Sequence, residues 1–233
     1  MLKVNIQERR NEVKNRSDCW YASVCQDTNE DCIVDCIRYE EMKYLMDSSN
    51  IPKAKQTPVA LYPAECDLEA FRTLNEIKKN IVEFVEKGSN LLIASRYTGN
   101  GKTSWAIKIL LKYLDCIWAG NGFRQRALFI HVPTLLAKLK DFNDPNLQQL
   151  KDSIMKVDLV VWDDIASTGI SNYDYNNLLV LIDNRLLENK ANIYTSNVID
   201  KNKFNELVGA KLTSRVYTSS KIIEFKGEDR RYD

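Results

Sequence analysis

The sequence lacks the long apolar segments that membrane insertion or secretion requires. Across its 233 residues, no apolar run approaches the roughly 20 residues needed to span a bilayer. Residues 1–14 are polar and charged and contain no apolar core of a signal peptide. We therefore expect a soluble, cytoplasmic protein that does not contact a membrane.

An excess of one charge is lacking as well. Lysine and arginine number 33 against 32 aspartate and glutamate residues, so the formal net charge is +1. Bulk charge therefore gives no indication of nucleic-acid binding, and any such contact needs a local basic patch. The sequence also contains no internal repeat and no low-complexity tract. A chain of this length has room for one α/β domain and a small additional segment.

What the sequence does contain is an apolar segment followed by a glycine-containing loop and a helix. Residues 91–95 predict a strand, and residues 105–114 predict the helix that follows the loop. The glycines allow successive backbone N–H groups to turn toward an anion, and the helix N-terminus adds its positive dipole end. The predicted phosphate-binding residues are Thr98, Gly99, Asn100, Gly101, Lys102, Thr103 and Ser104.

This order of residues is typical of proteins that bind ATP with magnesium. Lys102 is expected to contact the β- and γ-phosphates, and the hydroxyl of Thr103 is expected to hold the Mg²⁺ ion. The usual pattern begins with a glycine five residues before Gly101, but Arg96 occupies that position. The start of the loop therefore departs from the standard form, while the rest of the motif is present.

A second segment, residues 157–164, has the pattern of a buried parallel strand that ends in two carboxylates. Ligands of open α/β sheets bind at the carboxyl ends of the strands, so both acids should face the phosphate loop. We expect Asp163 to hold the magnesium, and Asp164 to orient or deprotonate the attacking water. In the alternative interpretation the two aspartates only cap the following helix.

Strands and helices alternate along the remainder of the chain. The predicted strands cover 91–95, 127–131, 159–163, 191–196 and 222–225, and the predicted helices cover about 68–86, 105–115, 133–141, 173–188 and 201–218. This alternation predicts an α/β fold in which a mostly parallel sheet is covered by helices on both faces.

Two further residues favour the AAA+ class of P-loop ATPases. Asn197 follows the predicted strand 191–196, where an amide can hold the attacking water or the γ-phosphate. Arg215 lies on the last predicted helix and is a candidate arginine finger for the γ-phosphate of a neighbouring subunit. The alternative interpretation of Arg215 is an ordinary surface arginine.

Four of the six cysteines lie close together near the N-terminus, at Cys19, Cys25, Cys32 and Cys36. Four thiolates satisfy tetrahedral zinc, and such a site can hold together a segment too short to bury its own core. Because the spacing is not the common pair of C-x2-C motifs, free cysteines packed among helices are the alternative. The predicted organisation is a cysteine-rich domain at 1–49, a proline-containing linker at 50–66 and an ATPase domain at 67–233.

Taken together, these features resemble the DnaC/DnaI family of AAA+ replicative helicase loaders, particularly those carried by phages and prophages. The resemblance rests on the residues of the linker, the phosphate loop, the aspartate pair, Thr195-Ser196-Asn197, Ser214-Arg215 and the terminal segment 225–231. It implies that Arg231 contacts the nucleotide and that ATP binds between the subunits of a homo-oligomer.

The resemblance also implies two macromolecular partners. The N-terminal region is expected to dock on a hexameric replicative DNA helicase. The segment 132–139, with Lys138 and Lys140, is expected to form a helix that contacts single-stranded DNA. The implied activity is ATP-dependent loading of the helicase on single-stranded DNA during replication.

Two other functions remain open at this point. One is a transposition helper ATPase of the IstB type, which shares the core and acts on duplex DNA. The other is an adaptor that binds ATP without hydrolysing it. Asp164 is shorter than the glutamate usual at that position and is expected to hold the attacking water less well, which would slow turnover. A small-molecule kinase is disfavoured, since the sequence contains no arginine-rich lid and no second substrate site.

Overall fold

The computed structural model describes residues 36–56, 60–140, 144–167 and 169–228. Cys19, Cys25, Cys32 and Arg231 lie outside the described residues, so the predictions made for them stay predictions. None of the helices in the described ranges has the length and apolar character needed to cross a membrane.

The centre of the fold is a five-stranded sheet in which all neighbouring strands are parallel. Its strands are β1 (Asn90–Ser95), β2 (Ala127–His131), β3 (Leu159–Asp163), β4 (Ala191–Ser196) and β5 (Ser220–Phe225). The order across the sheet is β2-β3-β4-β1-β5. The predicted α/β fold with a parallel sheet is therefore confirmed, and the predicted ranges of β2, β3 and β4 coincide with the observed ones.

Nine α-helices surround this sheet within the described residues: α1 (Ile37–Ser48), α2 (Leu68–Lys79), α3 (Ile81–Glu86), α4 (Lys102–Ile117), α5 (Val132–Leu139), α6 (Leu147–Lys156), α7 (Asn172–Leu187), α8 (Lys201–Val208) and α9 (Ala210–Thr213). A π-helical turn, Ser214–Thr218, follows α9, and short 3₁₀ turns cover Lys53–Lys55 and Glu65–Asp67. Neither α1 nor α6 was predicted from the sequence.

Two of the predicted helices are divided. The segment 68–86 breaks at Asn80, and the segment 201–218 breaks at Gly209, whose φ is +80°. A side chain at Gly209 would be strained by this backbone conformation, and its Cβ would lie 2.9 Å from the ring of Tyr175. The glycine therefore allows the chain to turn between α8 and α9 where a continuous helix was predicted.

The two faces of the sheet bury separate apolar cores because side chains alternate along each strand. In β1, Leu91 and Ile93 belong to one core, whereas Leu92 and Ala94 belong to the other. The first core contains α1, α2 and much of α4, and the second contains α5 and parts of α6 to α8. Each fully buried leucine contributes about 1.5–3 kcal/mol relative to an exposed one, so both helical layers are needed for stability.

Helix α1 packs directly on the core of the sheet. Met42, Leu45 and Met46 are buried in the same cluster as the residues of β1 and α4. The chain just beyond the helix is attached as well, since the backbone N–H of Phe129 donates to the carbonyl of Ser49 at 2.7 Å. Residues within the segment 37–51 therefore pack on the same apolar core as the sheet, and the division of the chain at residue 49 stays a prediction.

A buried arginine joins the strands at the edge of the sheet remote from their carboxyl ends. Arg185 on α7 is fully buried and donates to the carbonyls of Ile154, Val157 and Ala191 at 2.6–2.9 Å. Its Nε also donates to Oδ1 of Asn192 at 2.8 Å. Burial lowers the pKa of the guanidinium to about 10, so the group stays charged at neutral pH. Arg185 therefore acts as a structural cross-link between α6, β3 and β4.

Candidate nucleotide site

Several of the predicted site residues converge at the carboxyl ends of three neighbouring strands. The order β3-β4-β1 brings together Asp163 at the end of β3, Asn197 just after β4 and the loop that follows β1. Parallel strands direct these ends to the same edge of the sheet, where α/β proteins bind their ligands.

The loop between β1 and α4 has the backbone of an anion-binding site. Gly99 and Gly101 have φ angles of +70° and +95°, a conformation that turns successive N–H groups to one side. Helix α4 begins immediately afterwards, with the N–H of Trp105 donating to the carbonyl of Gly101 at 2.8 Å. The loop therefore lies at the positive end of a 16-residue helix. Asn100 and the two glycines belong to the loop, and Thr103 and Ser104 belong to the first turn of the helix.

Asn100 connects this loop to distant parts of the chain. Its Nδ2 donates to Oγ of Ser95 at 2.5 Å and to the carbonyl of Gly227 at 3.1 Å. The N–H of Gly227 in turn donates to the carboxylate of Asp67, which is almost completely buried. The loop is thereby held between the start of α2 and the segment after β5. Thr98, in contrast, is exposed at the outer part of the loop.

Lys102, which is expected to contact the phosphates, packs against the phosphate loop. Its Nζ donates to the carbonyl of Tyr97 at 2.6 Å and to Oδ1 of Asn100 at 3.2 Å, and the residue is buried. A buried ammonium group beside turned backbone N–H groups makes the loop strongly attractive to a polyphosphate. The residues therefore fit the triphosphate of ATP.

Asp163 is fixed by two hydroxyl groups. Thr103 Oγ1, from the first turn of α4, and Thr195 Oγ1, from β4, each donate to Oδ1 of Asp163 at 2.7 Å. The carboxylate is only 6% exposed. Carboxylate and hydroxyl oxygens are the protein ligands that Mg²⁺ prefers, so Asp163 and Thr103 fit the predicted magnesium site.

The chain turns away from the strand at Asp164, and the Asp164 side chain lies in the same part of the site as Asp163. Its φ is +61°, and its backbone N–H donates to Thr195 Oγ1 at 2.9 Å. Asn197 Nδ2 donates to Oδ1 of Asp164 at 3.0 Å. The helix-cap interpretation does not apply, because α7 begins only at Asn172 and is capped by Ser171. The structure therefore brings Asp163, Asp164 and Asn197 together.

Thr195 was given no role from the sequence, although its hydroxyl joins both aspartates. A threonine near the carboxyl end of a buried strand was the available signal, because β4 lies beside β3 and its last residues face the same edge. The pairing of Trp162 with Tyr194 sets the register that places Thr195 beside Asp163.

Arg215 lies apart from this group. It belongs to the π-helical turn after α9 and forms an ion pair with Asp183 on α7, with an Nε to Oδ1 distance of 2.5 Å. The hydrogen bond to the Asp183 carboxylate raises the pKa of the guanidinium. The side chain is 42% exposed, so the arginine is presented at the surface of the subunit.

The predicted DNA-contacting segment does form a helix. In α5, Val132, Leu135, Leu136 and Leu139 are buried in the core, whereas Lys138 is exposed. Lys140 follows the helix and forms an ion pair with Asp174 at 3.4 Å. One lysine is therefore available at the surface and the other is already partnered.

The described residues contain only one member of the predicted zinc cluster. Cys36 precedes α1 and is an exposed free cysteine. Within the described ranges, no group of three or more histidine, cysteine, aspartate or glutamate side chains could hold a metal ion. The zinc site therefore stays a prediction that depends on residues outside these ranges.

Comparison with known proteins agrees with this geometry. The family model described as IstB-like ATP binding protein matches residues 41–232. No curated protein matches the chain.

Solved structures that share the fold include the following three. The crystal structure of the DnaC helicase loader is 17% identical with a TM-score of 0.61, and the alignment covers 75% of this chain and 100% of that chain. The crystal structure of DnaI is 20% identical with a TM-score of 0.60, covering 75% and 94%. Domain III of the replication initiation protein DnaA from Thermotoga maritima is 18% identical with a TM-score of 0.57, covering 75% and 67%.

Proposed function

The chain belongs to the IstB-like ATP-binding protein family, and from this premise we propose that it hydrolyses ATP to load a replicative DNA helicase on single-stranded DNA. The fold is that of an AAA+ ATPase of the DnaC type. The observation that carries the proposal is the hydrogen-bonded series from Thr103 through Asp163 and Thr195 to Asp164 and Asn197. It joins the phosphate loop to the groups that we propose for hydrolysis.

The side chains of this series have separate roles in the proposed reaction. Bound MgATP supplies the phosphoryl group and the cation that neutralises part of its charge. Lys102 would bind the phosphates, while Thr103 and Asp163 would hold the magnesium. Asp164 accepts a proton from the attacking water, and Asn197 orients its carboxylate through the bond to Oδ1.

The position of Asp164 supports the role of a base. Within the described residues, hydrogen bonding to its carboxylate comes from Asn197 and involves Oδ1. The second oxygen, Oδ2, is therefore available to a water molecule. The positive φ of Asp164 costs about 1 kcal/mol or more for a non-glycine residue. The bonds to Thr195 and Asn197 maintain this conformation and keep the carboxylate directed away from the strand.

Arg215 is proposed to act in a neighbouring subunit. Its ion pair with Asp183 keeps the side chain at the surface, from where it would complete the nucleotide site of an adjacent copy. ATP binding and self-assembly would thereby depend on each other, as expected of a homo-oligomeric loader.

The loader function is supported by the coverage of the structural matches. The likeness extends over the whole of the DnaC helicase loader chain and nearly all of DnaI. In this proposal, residues N-terminal to α1, with their predicted zinc site, dock on the helicase. The exposed Lys138 of α5 contributes to single-stranded DNA binding.

The proposal is tested by incubating the full chain with the hexameric replicative helicase of its host, circular single-stranded DNA and ATP. The expected result is helicase bound to the circle only when both protein and ATP are present. Failure to bind the helicase, combined with recovery of a transposase from the native host, would indicate the transposition helper instead. Loading without any ATP hydrolysis would indicate a nucleotide-switched adaptor.

A further inference from the structure

A cleft beside the nucleotide site carries charges that the proposed reaction does not use. It has a volume of about 550 Å³ and lies where β1 and β4 end, with Arg96, Asn197, Lys201 and Lys203 in its lining. Asn197 also contacts Asp164, so one wall of the cleft is shared with the catalytic group.

The cleft has an excess of positive charge. Its lining contains three cations and a single carboxylate, that of Asp200. Asp200 Oδ1 is used to cap α8, where it accepts the backbone N–H of Lys203 at 2.7 Å. Within the described part of the chain, none of the three cations forms an ion pair. Unpaired cations in a concave site attract an anionic ligand.

Arg96 is the cation that the sequence motif does not explain. It occupies the position where the usual phosphate loop has a glycine, directly after Ser95 at the end of β1. Arg96 is not among the residues with positive φ, so the backbone accepts a side chain there without strain. Its side chain is exposed and enters the cleft that Asn197 also lines.

We propose that Arg96 contacts the γ-phosphate of the nucleotide bound in its own subunit and makes the site selective for ATP over ADP. The inference rests on the proposed ATP site. In that site, Lys102 contacts the β- and γ-phosphates from within the loop. Asp164 and Asn197 lie on the side from which water attacks the γ-phosphate. A guanidinium group at the mouth of the same loop presents a planar set of donors suited to phosphate oxygens.

The two lysines of the cleft provide matched controls. Lys201 and Lys203 are exposed residues in the first turn of α8, and they follow Asn197 along the chain. They contribute to the same electrostatic field as Arg96 but do not belong to the phosphate loop. A γ-phosphate contact therefore predicts a specific effect of Arg96, whereas a site for a long polyanion predicts similar effects of all three residues.

The experiment measures the affinities of the full chain for ADP and for a non-hydrolysable ATP analogue, adenosine 5′-(β,γ-imido)triphosphate, by titration calorimetry. Arg96→Ala should lower the affinity for the ATP analogue by about tenfold to a hundredfold, as expected for the loss of a charge-assisted hydrogen bond. ADP affinity should change less than about twofold, and so should both affinities in Lys201→Ala and Lys203→Ala. Arg96→Gly, which restores the usual loop residue, should behave like Arg96→Ala.

Several results would overturn the inference. Equal losses for both nucleotides in Arg96→Ala would mean that the residue only shapes the loop, and unchanged affinities would mean that it does not reach the nucleotide. Weaker binding of an oligothymidylate in all three variants, with an unchanged preference for the ATP analogue over ADP, would assign the cleft to a nucleic acid. If the parent protein binds neither nucleotide, the proposed ATP site itself is wrong. Thermal melting of each variant identifies any loss of folding.

Discussion

The hydroxyl of Thr195 donates a 2.7 Å hydrogen bond to Oδ1 of Asp163. The same hydroxyl accepts the backbone N–H of Asp164 at 2.9 Å. One threonine on β4 therefore fixes the two aspartates at the end of β3, one through its carboxylate and the other through its backbone. The proposed metal-binding group and the proposed base are positioned by a single side chain for which the sequence alone predicted no role.

Thr195→Val should preserve the shape of the core but remove both bonds. We expect hydrolysis to fall by about tenfold or more, because loss of a buried hydrogen-bonding partner costs about 1–3 kcal/mol. ADP affinity should change little. Thr195→Ser keeps the hydroxyl and should retain most of the activity. Equal steady-state ATPase rates for the valine variant and the parent would show that the threonine does not position the aspartates.

Arg215→Ala should affect ATP hydrolysis only when subunits assemble into the homo-oligomer. The side chain pairs with Asp183 at the surface of its own subunit, so ATP affinity at low protein concentration should remain nearly unchanged. Hydrolysis in the assembled state should fall by up to about 10³-fold if the residue is a fully engaged arginine finger.

Mixing Arg215→Ala with Lys102→Ala protein tests the intersubunit arrangement directly. Each variant retains the half-site that the other lacks, so the mixture should recover part of the ATPase activity. If no activity returns, and the Arg215 variant alone binds ATP weakly, the arginine acts within its own subunit.

Arg185→Met should destabilise the fold without a direct effect on the nucleotide site. The substitution leaves the carbonyls of Ile154, Val157 and Ala191 without their buried donor. We expect the free energy of unfolding to fall by about 1–3 kcal/mol or more, because buried acceptors lose their partner, as measured by urea denaturation. Arg124→Met is a suitable control, because Arg124 is exposed and should alter stability by less than about 0.5 kcal/mol. Similar losses in both variants would remove the case for a structural cross-link.

The predicted zinc site can be tested by elemental analysis of protein purified without a histidine tag. If Cys19, Cys25, Cys32 and Cys36 bind zinc, the protein should contain one zinc ion per chain. Removal of zinc by a zinc-selective chelator in the presence of excess Mg²⁺ should then abolish helicase binding while ATP binding persists, since the described nucleotide site contains none of these cysteines. Metal-free protein that still binds the helicase would favour free cysteines.

The sequence predicted the sheet well because each strand is a short apolar run followed by a polar or glycine-containing segment. The meeting of Thr103 with Asp163 followed from the same reasoning, since parallel strands end at one edge of the sheet. Helix α6 was predictable but overlooked. Its apolar residues Leu147, Leu150 and Ile154 have helical spacing, and all contribute to the second core.

Other features depend on contacts between residues far apart in the sequence. The burial of Arg185 has no local signal, because its partners come from α6, β3 and β4. The packing of α1 is concealed by polar residues such as Glu41, which is buried beside Met42. The break at Gly209 was visible as a glycine, but only the adjacent ring of Tyr175 shows why a larger residue does not fit.

The most direct test of the account compares Asp164→Asn with the parent in single-turnover ATP hydrolysis, with ATP affinity measured on the same samples. A neutral amide cannot accept the proton of the attacking water, but it can keep the bond to Asn197. We predict that ATP binding changes less than about threefold, while hydrolysis falls by about a hundredfold or more. Hydrolysis by Asp164→Asn at the parent rate would contradict the assignment of the aspartate pair and, with it, the proposed ATPase mechanism.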